Sequence, residues 1–150
     1  MKDLDQLFDA VTAGLKSGNT MEEMKPLLEQ YEGIDWKPYK YFTPSHYSRY
    51  TYRLNDVLEI VLICWEPGQG CPVHDHPKEG CLVKVLQGEL HQGTYELREK
   101  PVLTEEQTLE INDVTYMEGN VTGHEMKNVS AKRAVSLHLY TPPNYHPNFY

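Results

Sequence analysis

The stretch CPVHDHPKEGCLVKVLQGEL, residues 71–90, sets two histidines one residue apart and follows them with an apolar run closed by a Gln-Gly turn. In extended chain, residues two apart point the same way, so His74 and His76 can face one interior and share one ion. Asp75 then points away, free to orient a neighbour as a hydrogen-bond acceptor. A loop carrying two solvent-facing histidines would present the same letters, and H-x-H alone does not separate the two readings. Five residues past His76, where a metal-binding glutamate often follows, the chain has Cys81.

Further along, His124 opens GHEMKNVS, a strand that can return beside the first pair. Three imidazoles leave coordination positions open, which suits catalysis better than a closed structural site. Imidazole serves zinc, copper, iron and nickel alike, so the ion is not fixed by the donors. His46, His91 and His146 sit among polar or loop residues and read as surface. His138 differs, because AVSLHLYTPP alternates Ser136, His138 and Tyr140 with Val135, Leu137 and Leu139. That pattern reads as an apolar face against a polar one. A polar face inside a barrel has a use where a ligand sits, so a hydrogen-bonded Ser–His–Tyr row lining a cavity is expected.

The rest of the chain supplies the frame. Leu4, Leu7, Phe8, Val11 and Leu15 fall on one face of a helix over residues 3–16. Thr20 with Glu23 forms a capping box for a second helix, MEEMKPLLEQY, with Pro26 near its first turn. A Pro- and aromatic-rich connector, 36–44, follows. From Tyr47 the pattern turns to short strands, expected at 47–54, 58–65, 82–86, 89–95, 107–111, 115–117, 124–129 and 134–140. This spacing predicts an all-β jelly roll or small barrel over about 47–143, with helices at about 3–31 packed outside. Residues 1–150 are expected to form a single domain.

A net charge of -8 argues against nucleic acid or anionic membrane as a partner. The sequence shows no leader pattern and no membrane-length apolar run, so a soluble, cytoplasmic monomer acting on a small molecule is expected. Three cysteines in irregular spacing do not make a disulfide framework. Cys64, inside VLICW, reads as a small core hydrophobe, and Cys71 as a loop thiol of no function, the alternative being a thiol that lines the mouth of the site.

Gly68-x5-His74-x-His76-x4-Cys81-x6-Gly88 resembles the first cupin motif, with Cys81 where a glutamate ligand usually stands. His124-x3-Asn128 is similar to the end of the second motif, although the preceding glycine and proline pattern matches poorly. With HDH, CLVKVLQGEL and VSLHLYTPP, the chain closely resembles the cysteine dioxygenase family from about Tyr47 to Pro143, and the two-helix N-terminus is also similar.

The resemblance implies a cupin β-barrel and an Fe(II)-dependent thiol dioxygenase that converts L-cysteine and O2 to cysteine sulfinate, a step of cysteine catabolism and taurine metabolism. It implies iron ligands at His74, His76 and His124, and a thioether crosslink between Cys81 and Tyr140, as in eukaryotic members. His138 would hold Tyr140, with Ser136 behind it, and the bond before Pro142 can be cis. Tyr47-Ser48-Arg49 fits the motif that binds the substrate carboxylate. Arg53 is the reserve, since Tyr50-Thr51-Tyr52-Arg53 follows at once. An available arginine points to cysteine; 3-mercaptopropionate or cysteamine as substrate, or a non-catalytic metal-binding cupin, are the alternatives. Three neutral imidazoles leave the full charge on the ion, which favours a substrate that arrives as a thiolate.

Overall fold

The computed structural model of the chain describes residues 1–119 and 121–150. Asp3 caps helix α1 (Leu4–Lys16), its carboxylate accepting from the amides of Asp5 (2.7 Å) and Gln6 (3.3 Å). Thr20 and Glu23 exchange the reciprocal bonds of a capping box: Thr20 N donates to Glu23 Oε1 at 2.9 Å, and Glu23 N to Thr20 Oγ1 at 3.2 Å. The expected second helix over 21–31 is interrupted. A 3-10 turn (Glu22–Met24) gives way to α2 (Lys25–Gln30), so that Pro26 falls in the first turn of the new helix. Proline has no N–H to donate and its ring crowds the carbonyl four residues back, so an unbroken helix through Pro26 is disfavoured.

Nine strands follow among the described residues: β1 (Ser48–Leu54), β2 (Glu59–Trp65), β3 (Gly70–His74), β4 (Cys81–Gln87), β5 (Leu90–Glu96), β6 (Val102–Leu109), β7 (Val114–Met117), β8 (Thr122–Lys127) and β9 (Ala134–Tyr140). They form two antiparallel sheets, in the orders β1-β2-β9-β4-β7 and β3-β8-β5-β6. Two of the strands depart from the sequence reading. β3 is absent from the expected strands; its Pro72 falls in the irregular stretch between Cys71 and His74, where the ladder with β8 shifts register, a place that tolerates a missing N–H. β6 begins five residues before its expected start, and it is an edge strand, exposed along most of VLTEEQTL. An edge with both faces wet carries no apolar alternation to read.

The first sheet is covered on both sides. Ile60, Leu62 and Cys64 of β2, with Val135, Leu137 and Leu139 of β9, face outward and pack on Leu4, Leu7, Val11 and Leu28 of the helices. Val61, Ile63 and Trp65 of β2, with Val83 and Val85 of β4, face inward and meet Leu90 and Met126 of the second sheet. Every residue of β2 is therefore buried, which explains why EIVLICW reads as a continuous apolar run. Each such aliphatic side chain contributes about 1.5–3 kcal/mol by leaving water.

Lys84 breaks the apolar run of β4, and the helices explain it. Its side chain is buried, and Nζ donates to Leu28 O (3.0 Å), Glu29 O (3.2 Å) and Tyr31 O. These carbonyls lie at the end of α2, where Leu28 O also accepts from Tyr31 N at 3.2 Å, and one ammonium serves all three. Burial pulls the ammonium pKa below its ordinary value, while Glu29 and Glu32 oppose the shift. Lys84→Met keeps the stem and removes the donors, so it should cost about 2–4 kcal/mol of unfolding free energy in urea titration.

Candidate metal and substrate site

Antiparallel pairing sets His74 of β3 directly opposite His124 of β8. The approach is close enough that a Cβ on Gly123 would lie 2.5 Å from His74 O, so only glycine fits before the ligand. β3 ends at His74, and His76 lies in the irregular chain beyond it. The three rings converge. Ring centroids are 4.9 Å apart for His74–His76, 4.7 Å for His74–His124 and 4.4 Å for His76–His124. The nitrogens all lie within 4.8 Å of one another.

The outer nitrogens decide which atoms turn inward. His74 Nδ1 donates to Pro72 O at 2.8 Å, and His124 Nδ1 donates to Gln92 Oε1 at 2.9 Å. Gln92 is itself buried and donates to Thr115 Oγ1 at 3.4 Å, which fixes its amide orientation. Both histidines therefore present bare Nε2 atoms to the interior. His76 Nε2 lies 3.1 Å from His124 Nε2, and His76 Nδ1 is buried with no hydrogen-bond partner among the described residues. Without an ion, two ring nitrogens face each other over at most one proton. An ion gives both lone pairs a partner, and two imidazole nitrogens held about 2.1 Å from it stand roughly 3 Å apart at a right angle. The donors fit a divalent transition metal. Burial holds His76 and His124 well below the usual imidazole pKa, and His74 below it, so all three favour the neutral, ligating form.

A second row faces the same cavity. Trp65 Nε1 donates to Ser136 Oγ at 3.0 Å, Ser136 Oγ lies 2.7 Å from His138 Nε2, and His138 Nδ1 lies 3.2 Å from the Tyr140 hydroxyl. Indole can only donate, so the Ser136 hydroxyl proton is free for His138 Nε2. The ring proton then sits on Nδ1 and points at the Tyr140 oxygen. This leaves the phenol proton of Tyr140 for an acceptor in the cavity. Burial lowers the His138 pKa to about 3, with Arg49 and His74 adding to the shift, which keeps this polarity at neutral pH. Burial, reinforced by Cys81, raises the Tyr140 pKa above its ordinary range, so the phenol holds its proton.

The two candidate arginines part company at a bulge. Arg49 is paired with Ile63 and Thr51 with Val61, both on the inner face of β2, but Arg53 is paired with Ile60 on the outer face. The extra residue, Tyr52, switches the side to which the strand points. Arg49 lines the cavity with its guanidinium carbon 5.6 Å from the Tyr140 ring centroid. Arg53 instead lies 4.3 Å over the Phe8 ring and pairs with Asp5 at 3.2 Å. Tyr47 lies against Trp65, centroids 4.8 Å apart, and its hydroxyl reaches Cys71 Sγ at 3.6 Å.

A model of the family described as cysteine dioxygenase type I matches residues 5–150. The chain belongs to that family. It is 34% identical over 131 residues to rat cysteine dioxygenase type 1, a match that covers 82% of this chain and 66%, just under two thirds, of the rat protein. Among solved structures, the TT1209 protein of Thermus thermophilus superposes with a TM-score of 0.62 at 22% identity, over 72% of this chain and 94% of that one. A cupin superfamily protein from Desulfitobacterium hafniense gives 0.58 at 13% identity, over 75% and 92%. At these identities the two structures speak for the cupin jelly roll alone.

The other residues singled out in the sequence lie as follows. Tyr140 is paired with Cys81 on one side and Glu59 on the other. Cys81 is fully buried, and burial raises its thiol pKa against the opposing charge of Arg49. Thr141–Pro142 is cis, and Cys64 lies in the core under the helices. Two expectations need correcting. Cys71 lies on β3 and not in a loop, and its Sγ is 3.4 Å from His74 Nδ1. His146 is exposed, as expected of a surface residue, but it lines the mouth of the cavity. His46 and His91 lie outside the cavity lining.

Gln92, Trp65 and Glu59 belong to the site and were not singled out in the sequence. On β5 Gln92 shares a face with Leu90 two residues before it, the one sequence signal that it points inward. Gln92→Ala should weaken metal binding about 10–100-fold, and His124→Ala should abolish stoichiometric loading, both read by metal analysis after dialysis.

Proposed function

We propose that the protein is an iron(II)-dependent thiol dioxygenase that converts L-cysteine and O2 to cysteine sulfinate. The observation that carries this reading is one cavity, of about 260 Å³, lined at once by His74, His76, His124, Arg49 and Tyr140. That volume lies below the roughly 300–1,000 Å³ of pockets for drug-sized ligands and suits a small amino acid. Iron(II), held by the three Nε2 atoms, would supply the point where the substrate sulfur and O2 meet. Both oxygen atoms pass to sulfur, so R–SH and O2 give R–SO2H with no added reductant.

The chain's own residues do the rest. Arg49 pairs with the substrate carboxylate through a charge-assisted contact and so orients the thiol toward the three histidines. Tyr140, its oxygen held by His138 Nδ1–H, donates its proton to the same carboxylate. The positive charge at the centre and on Arg49 favours the thiolate over the thiol. Tyr47 and Trp65 wall the far side and keep water out. The direct register between Cys81 and Tyr140 supports a thioether between them, formed with loss of one hydrogen from each to O2, which leaves as hydrogen peroxide. That bond would fix the Tyr140 ring. The reading is completed by one domain over residues 1–150, monomeric and cytoplasmic. The negative net charge supports a small-molecule substrate over nucleic acid, and no helix of the described residues is long and apolar enough to cross a membrane.

Anaerobically purified protein loaded with iron(II) should form sulfinate from L-cysteine and O2. No sulfinate from any small thiol would remove the enzyme reading, and faster turnover of 3-mercaptopropionate would overturn the substrate. Arg49→Gln should raise the KM for cysteine about 10–100-fold, while Arg53→Gln should stay within about twofold. A faster-migrating gel band, two hydrogens lighter by mass spectrometry, should vanish in Cys81→Ser and in Tyr140→Phe.

A further inference from the structure

Glu59 and Asp75 are buried carboxylates, 4% and 7% exposed, that line the cavity yet neither ligate with the histidines nor form a salt bridge among the described residues. Both are engaged by the same segment. Glu59 Oε1 accepts from Asn144 N at 2.9 Å, while Thr51 Oγ1 donates to its other oxygen at 3.1 Å. Asp75 accepts from Asn148 N (2.8 Å), Asn148 Nδ2 (2.9 Å), the Tyr145 hydroxyl (2.8 Å) and the Tyr150 hydroxyl (3.5 Å). Backbone bonds from Asp75 N to Asn148 O and from Tyr150 N to Val73 O add the segment to the free edge of β3. Between the two anchors stand Tyr145, His146 and Pro147, all of which line the cavity.

We infer that Glu59 and Asp75 form a two-point clasp that seats residues 144–150 as the roof of the thiol pocket, and that Tyr145 and His146 in that roof limit the size of the thiol admitted. The inference rests on the thiol dioxygenase reading for its substrate class. The roof is held by charge-assisted bonds to backbone amides at both ends and pairs along one edge only, with its own side chains half-exposed or exposed. Such a segment opens locally without unfolding the barrel behind it, which is what entry of substrate and exit of sulfinate require. Glu59 and Asp75 are therefore positioning residues: they act through the roof and do not touch the reacting atoms.

The test uses the iron-loaded protein with Asp75→Asn, Glu59→Gln and, as the mildest lesion, Tyr145→Phe. Amide exchange measured by mass spectrometry should quicken about tenfold or more over 144–150 in the two carboxylate variants, with residues 134–140 unchanged. The KM for cysteine should rise with kcat held within about threefold, and homocysteine, one methylene longer, should gain about tenfold in kcat/KM relative to cysteine. Bound iron, assayed directly, should stay equal to that of the unaltered protein. Unchanged exchange over 144–150 overturns the clasp, as does loss of iron in step with activity, which would make Asp75 a support for its histidine neighbours. If the unaltered protein oxidises neither thiol, the enzyme reading fails while the exchange measurement still decides the clasp.

Discussion

Strand β9 is hydrogen-bonded on both sides, and its alternate residues serve two environments of opposite character. Val135, Leu137 and Leu139 anchor the helical layer, while Ser136, His138 and Tyr140 form the polar wall of the cavity. A one-residue slip would turn the leucines into the cavity and bury the hydroxyl, imidazole and phenol under the helices. The outward core therefore guards the inward chemistry: the packing that stabilises the fold also fixes the register of the site. Lys84 strengthens the same arrangement from the neighbouring strand by tying the end of α2 to β4.

The interior is polar only where something answers the polarity. Ser136 Oγ accepts from the Trp65 indole N–H, His138 Nε2 accepts from the Ser136 hydroxyl, and Gln92 Oε1 accepts from His124 Nδ1–H. Each of these bonds offsets the desolvation of a buried group and also decides which nitrogen or oxygen faces the cavity. His76 is the exception, with a buried nitrogen that finds no partner among the described residues. The three histidines are thus oriented by bonds that lie behind them, as in metal sites generally.

Much of this was legible in the sequence, and the reasons differ by element. Alternation in AVSLHLY marks an apolar face against a polar one, both of them buried, and the continuous run of EIVLICW marks two apolar faces, so β9 and β2 are placed within a residue by pattern alone. Neither β3 (GCPVH) nor the wet edge of β6 carries an apolar alternation to find. The three histidines were visible as residue types, but the register that sets His74 opposite His124 was not, because it depends on how β3 pairs with β8. The clasp was invisible for a similar reason. Asn144, Tyr145 and Asn148 are ordinary polar letters, and only tertiary approach shows that two carboxylates receive them.

The bulge at Tyr52 is a parity switch. Arg49 and Arg53 are an even number of residues apart, and strict alternation would send both guanidiniums to the same side of the sheet. One extra residue makes one of them part of a cavity and the other part of a helix contact. Homologous strands that differ by a single insertion can therefore exchange which of two arginines serves the substrate while keeping nearly the same letters. Roles carried from one relative to another by counting along β1 hold only as long as the bulge is counted too.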